Sequence, residues 1–201
     1  RWEIISKHGT GMGRVLLLQL DGKIPNLALM RLAAYYRERG DTVDLRRVGN
    51  AMAIEPRLED GSWDHVYASL IFERTRALGE RVCTIYPHAV LGGTGWDIGM
   101  TLEHCGVETI GALDYSDYPS WQQSLGFTQR GCRLRCPFCV VPKKEGPVRE
   151  AQTISDIWRG DPWPKEIVLL DNDFFGQPRW RERIEEIRSG KFRVSFNQGI
   201  N

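Results

Sequence analysis

Val15–Leu20 (VLLLQL) is an apolar run broken by a single polar residue. A strand of that kind needs cover on both faces, as a parallel strand inside an α/β sheet has. The sequence after it keeps that rhythm. Asn26 is placed to cap a helix over Leu27–Arg39, where Leu29, Met30, Leu32, Ala33 and Tyr36 form one apolar stripe and Gly40 suits the end. Thr42–Val48 alternates as a second strand, His65–Phe72 reads as a third and Arg81–Tyr86 as a fourth. Strands spaced by helices imply crossover connections and an open parallel sheet, so residues 12–112 are expected to form a Rossmann-like α/β domain.

Charge excludes some partners. Lys and Arg total 27 against 26 Asp and Glu, a formal net charge of +1, which makes no global case for nucleic acid or a membrane surface. No apolar run approaches the roughly 18–20 residues of a membrane span, so no membrane association is expected. Arg1–Gly11 (RWEIISKHGTG) lacks an initiator Met and precedes Met12. It is expected to be an artificial leader outside the fold. The five cysteines are odd in number and three fall within eight residues. That clustering argues against a secreted disulfide framework and for a reducing, cytoplasmic compartment with a metal site.

Two loops of the first half stand where α/β sheets bind ligands. Asp21–Asn26 follows the first strand, and Gly92-Gly93-Thr94-Gly95 follows the fourth. The glycines either bring bare backbone to a phosphate or flat ring, or simply make a tight turn. Neither loop spells the dinucleotide fingerprint G-x-G-x-x-G. His65, His88 and His104 are scattered without metal-ligand spacing and read as surface or core residues. Cys83, in the expected fourth strand, reads as a small buried hydrophobe. Leu113–Leu125 (LDYSDYPSWQQSL) breaks the α/β rhythm and reads as a linker lying across a surface, with a second domain beginning near Gly126.

Cys132-Arg-Leu-Arg-Cys136-Pro-Phe-Cys139 carries the chemistry. Three thiols at this spacing can converge from one loop onto three corners of a four-iron cluster, leaving one iron without a protein ligand. A zinc site completed from afar by Cys105 or His104 is the alternative, and unmetallated thiols are a third reading. The stretch Gly126-Phe-Thr-Gln-Arg-Gly-Cys132 to Cys139-Val-Val-Pro resembles the cluster loop of the radical S-adenosylmethionine (SAM) superfamily, with Phe138 as the aromatic before the third cysteine. The preceding domain resembles the cobalamin-binding type found ahead of many such barrels. The resemblance implies that Cys132, Cys136 and Cys139 ligate a [4Fe–4S] cluster. SAM would chelate the fourth iron and be cleaved reductively to a 5′-deoxyadenosyl radical that acts on an unknown substrate. It also implies an electron donor such as flavodoxin or ferredoxin. No acid or base catalyst is assigned.

Beyond the cysteines, Thr153–Arg159 and Pro178–Ser189 read as helices, and Glu166–Asp171 and Phe192–Asn197 as strands. Residues 126–201 thus read as the first part of a (β/α) barrel, whose ligands gather where strands end. Those ends carry Asp171-Asn172-Asp173 and Asn197-Gln198-Gly199. The resemblance assigns Asp171, Asn172 and Asp173 to the place that holds the SAM amino group, without the usual Gly-Gly-Glu. An Asx-rich turn capping the next element is the alternative. Arg130, Arg133, Arg135, Lys143, Lys144 and Arg149 surround the cysteines, against only Glu145 and Glu150. Such a patch could stabilise a reduced cluster, bind the SAM carboxylate, dock an acidic reductant or a nucleic acid, or be a solvated face.

Two departures from the resemblance matter. Cobalamin domains that ligate cobalt resemble D-x-H-x-x-G after the first strand, whereas here Asp21 is followed by Lys23 and Asn26 at those places. Cobalamin is therefore an unfavoured ligand. A full eight-unit barrel takes about 250 residues, and three strands from Gly126 leave an open edge, so the native chain is expected to continue beyond Asn201. The competing reading is a non-catalytic iron–sulfur or zinc module associated with nucleic acid.

Overall fold

The computed structural model describes residues 12–49, 51–57, 61–109 and 111–198. The expected leader at Arg1–Gly11, like Gly199, lies outside the described residues. The chain divides into two compact units, Arg1–Tyr118 and Pro119–Asn201.

The first unit is α/β and Rossmann-like. Strands β1 (Arg14–Gln19), β2 (Thr42–Arg47), β3 (His65–Ser69) and β4 (Val90–Gly92) form a parallel sheet in the order β2-β1-β3-β4. The apolar run becomes β1 because both faces of the strand are covered. Val15 and Leu17 pack with Leu29, Leu32, Ala33 and Tyr36 of helix α1 (Leu27–Glu38). Leu16 and Leu18 turn the other way, into a core with Ile54, Val66, Leu70 and Val82. Asn26 caps α1, its side chain accepting from the Leu29 amide at 3.2 Å.

The expected fourth strand at Arg81–Tyr86 is instead the end of helix α2 (Arg76–Ile85). Leu78, Val82 and Ile85 recur at helical spacing and meet the core, so tertiary burial overrides the β-branched look of the window. Cys83 consequently points to solvent, contrary to the buried role expected of it. The fourth strand follows, at Val90–Gly92.

The stretch read as a linker is divided between the units. Arg37 of α1 holds Asp114, Ser116 and Asp117, the Asp117 contacts at 2.8 and 2.9 Å. Tyr118 is buried and donates to Gln19 Oε1 at 2.7 Å while accepting from the Asn26 amide at 3.3 Å. Ser124 and Leu125 already belong to the first strand of the second unit.

In that unit β5 (Ser124–Gly126) is followed by a hairpin of β6 (Gln129–Arg130) and β7 (Arg149–Glu150), whose connection holds the cysteines and the short helix α3 (Val141–Lys144). Helix α4 (Ile154–Ile157), β8 (Glu166–Leu169), helix α5 (Trp180–Ser189) and β9 (Arg193–Phe196) complete it. Strands β5, β8 and β9 are parallel, in that order. Ile154, Ile157, Ile167, Leu169 and Phe174 form the core, with Trp158, Trp180, Ile184 and Val194 packed against it. The fully buried Arg183 of α5 reaches Glu186 at 2.6 Å and Glu150 of β7 at 3.0 Å, tying helix to hairpin. Among the described residues no helix is long and apolar enough to cross a membrane.

Candidate functional site

Because β5, β8 and β9 are parallel, the segments after them leave from one edge of the sheet. Leu170 N donates to Gly126 O at 3.0 Å and Asn197 N to Leu169 O at 2.9 Å, which keeps the strand ends in step. The cysteine loop starts at one of these ends, Asp171-Asn172-Asp173 lies at the second and Asn197-Gln198 at the third.

Asp171 is almost fully buried and spends both oxygens on the start of the loop. Oδ1 accepts from the amides of Thr128 at 2.8 Å and Gln129 at 3.3 Å, and Oδ2 from the Thr128 hydroxyl. Gln177 donates to the same hydroxyl at 2.8 Å. Burial pushes the Asp171 carboxyl above its ordinary value, against the lowering by the Thr128 hydroxyl, the two amides and Arg130. A carboxyl with a raised folded pKa binds its proton more tightly in the native state. The stability it contributes is full at low pH and is lost as pH rises through the window between the unfolded and raised values. Urea unfolding between about pH 3 and about pH 7 should therefore show wild type losing stability relative to Asp171→Asn as pH rises. A pH-independent difference would contradict the raised value.

Asp173 is completely buried and faces the cysteines. Its Oδ2 accepts from the Arg133 amide at 3.3 Å, approaches the Cys132 sulphur at 3.9 Å and pairs with Arg133 Nε at 3.2 Å. Its Oδ1 is buried and has no protein hydrogen-bond partner, a costly state for a carboxylate oxygen that asks for a donor. Asn172 donates to Glu145 Oε2 at 3.2 Å. Asn197 and Gln198 are exposed at the end of β9.

All five cysteines are free thiols. Cys132, Cys136 and Cys139 are each half-buried, and the turn between the last two is closed by Cys139 N donating to Cys136 O at 3.0 Å. Phe138, at the tip of that turn, is 91% exposed. Burial raises the Cys132 thiol pKa, with further raising by the charges of Asp173, Cys139 and Cys136. Among the described residues no three His, Cys, Asp or Glu side chains are grouped to hold a metal ion. A tetrahedral zinc with bonds of about 2.3 Å would draw its sulphurs to about 3.8 Å of one another, and would take a fourth ligand. Three thiolates on one loop, each taking a separate iron of one cluster, fit the donor set of an iron–sulfur cluster.

The distant ligands considered for zinc are engaged within their own unit. His104 Nδ1 accepts from the Thr101 amide at 3.2 Å, and Cys105 packs on the core beneath α1 with its pKa raised by burial. His65 stacks on Tyr67 and His88 is exposed.

The loop with Lys23 where a cobalt-ligating histidine would stand is bonded within its own unit. Asp21 accepts from the amides of Ile71 at 2.8 Å and Phe72 at 2.9 Å and from the Thr75 hydroxyl at 2.6 Å. It stitches the first loop to the third. Gly93 and Gly95 lie against the backbone of Leu70 and Phe72, so the glycine loop is a tight turn closed by a Gly93–Asp97 bridge.

Sequence reasoning missed Thr128 and Gln177, and named Glu145 as an acid among the cations without its contacts. The first two carry no motif signal, and Glu145, the one acid between Arg130 and Arg149, carries no local signal of its burial. No protein-family model matches the chain, and no curated protein or solved structure matches it.

Proposed function

We propose that the second unit is the cluster-bearing part of a radical SAM enzyme, with its three parallel strands as the first part of a (β/α) barrel. Cys132, Cys136 and Cys139 would hold a [4Fe–4S] cluster, which when bound supplies the electron that cleaves SAM reductively. The observation that carries this reading is Asp173, which bonds the cysteine loop through Oδ2 while Oδ1 stays buried and unpartnered. An oxygen so held accepts an ammonium or hydroxyl donor beside Cys132 without reorganising. Asp171 anchors the loop instead, and Asn172 steadies its far side.

Exposed Arg135 and Lys143 leave the loop cationic toward an acidic electron donor of the flavodoxin or ferredoxin kind, in a reducing cytoplasm. The same outward cations favour a second reading, a non-catalytic iron–sulfur module that docks on nucleic acid.

The test is anaerobic reconstitution with iron and sulphide, reduction, and EPR with and without SAM. A reduced four-iron signal that shifts on adding SAM is the expected result. A cluster indifferent to SAM would overturn the enzyme reading in favour of the module, and stoichiometric zinc without a cluster would overturn the enzyme reading and leave a zinc module.

A further inference from the structure

Between Arg130 and Arg149 the chain carries four further cations, Arg133, Arg135, Lys143 and Lys144, and one acid, Glu145. An acid in such company is ordinarily one more exposed charge, but the Glu145 side chain is only 10% exposed. Oε1 accepts from Arg130 Nη2 at 2.8 Å, and Oε2 from the Gly131 amide at 2.9 Å and Asn172 Nδ2 at 3.2 Å. Its backbone closes α3, the amide donating to Val141 O at 2.8 Å and the carbonyl accepting from Arg149.

One carboxylate thus gathers three places distant in sequence. Arg130 and Gly131 stand immediately before Cys132. Glu145 itself ends the helix that follows Cys139, and Asn172 stands at the end of β8. The Arg130 and Glu145 side chains are only 23% and 10% exposed where they meet, so the pair is a largely desolvated tie. A loop closed at both feet loses the conformational freedom that would otherwise scatter its three thiols.

We infer that Glu145 is the positioning residue of the cysteine loop, holding the loop's two feet and the end of β8 together so that the thiols are arranged before any metal arrives. The inference rests on the reading of Cys132, Cys136 and Cys139 as ligands, but its first consequence needs no metal. In the metal-free 201-residue chain, the bonded amides of Arg133 and Cys139 do not touch Glu145. They should exchange about tenfold faster in Glu145→Ala than in wild type, with the amides of β8 unchanged. After anaerobic reconstitution, Glu145→Ala should lose iron to a chelator about ten- to a hundredfold faster. Glu145→Gln keeps an acceptor for Gly131 and Asn172 but turns a donor toward Arg130, and should fall between. Asn172→Ala removes one arm alone and should show a smaller effect of the same sign, and these two variants decide the matter if Glu145→Ala fails to fold.

Unchanged exchange at Arg133 and Cys139 in the folded variants would overturn the inference. So would exchange that quickens throughout β8, which would make Glu145 a general stabiliser. Should wild type take up no iron while the exchange difference stands, the ligand reading falls and the positioning role survives.

Discussion

Gly93→Ala is expected to destabilise the first unit by about 3–5 kcal/mol, much of the stability of an ordinary domain. Gly93 sits at φ +105°, where a Cβ would lie 2.2 Å from the Leu70 carbonyl oxygen. That oxygen already accepts from the Gly95 amide at 3.0 Å, and Leu70 N donates to Gly92 O at 3.0 Å. The colliding group is therefore ladder backbone and cannot swing aside. Gly40→Ala is the control, because Gly40 has φ +86° but open space around its Cβ. It should cost only the left-handed conformation, about 1–2 kcal/mol. Urea unfolding followed on a signal from the first unit checks both, and equal midpoints for the two variants would remove the contact from the account. The turn by itself therefore requires glycine at position 93, without appeal to a bound phosphate or corrin. Asp21, bonded to Ile71, Phe72 and Thr75, fixes the loop after β1 in the same way from within the unit.

What the sequence disclosed and what it hid have one physical cause, the range over which each residue finds its partner. The apolar run of β1 and the Asn26 cap are local or periodic signals and appear where expected. Helix α2 was misread because Arg81–Tyr86, taken alone, is rich in strand formers, and Gly79 interrupts the helical pattern before it. Gly79 is there because a Cβ would meet the Trp96 ring at 2.7 Å, a neighbour that no local window contains. In the second unit the three cysteines announce themselves by spacing. Their supports do not, since Thr128 answers to Asp171 across the parallel strands and Gly131 to Glu145 across the foot of the cysteine loop, pairings that no local window contains. Asp171-Asn172-Asp173 was legible as a group at a strand end, but its division of labour was not. Burial of the first and third and the half-exposure of the second follow from which face of the loop each meets.

Gly131→Ala should abolish cluster uptake as completely as Cys136→Ala, although it leaves every thiol in place. Gly131 precedes the first cysteine at φ +79°, and a Cβ there would stand 2.2 Å from the Pro147 carbonyl oxygen and 2.6 Å from that of Gly146. Relief requires the two feet of the loop to part, which breaks the bond from the Gly131 amide to Glu145 and withdraws Cys132 from Asp173. The loop is not the core of the unit, so the cost falls on the geometry of the thiols more than on global stability. Gly146→Ala, at φ +74° with nothing near its Cβ, carries the same left-handed strain, about 1–2 kcal/mol, without the collision and should keep the cluster. Iron and sulphide per chain after anaerobic reconstitution, with a urea midpoint for each variant, separate the outcomes. Loss of iron with a preserved midpoint is the result expected of Gly131→Ala. Full iron uptake by that variant would mean that the thiols bind metal without the close approach of residues 131 and 147, and the pre-arranged loop would have to be given up.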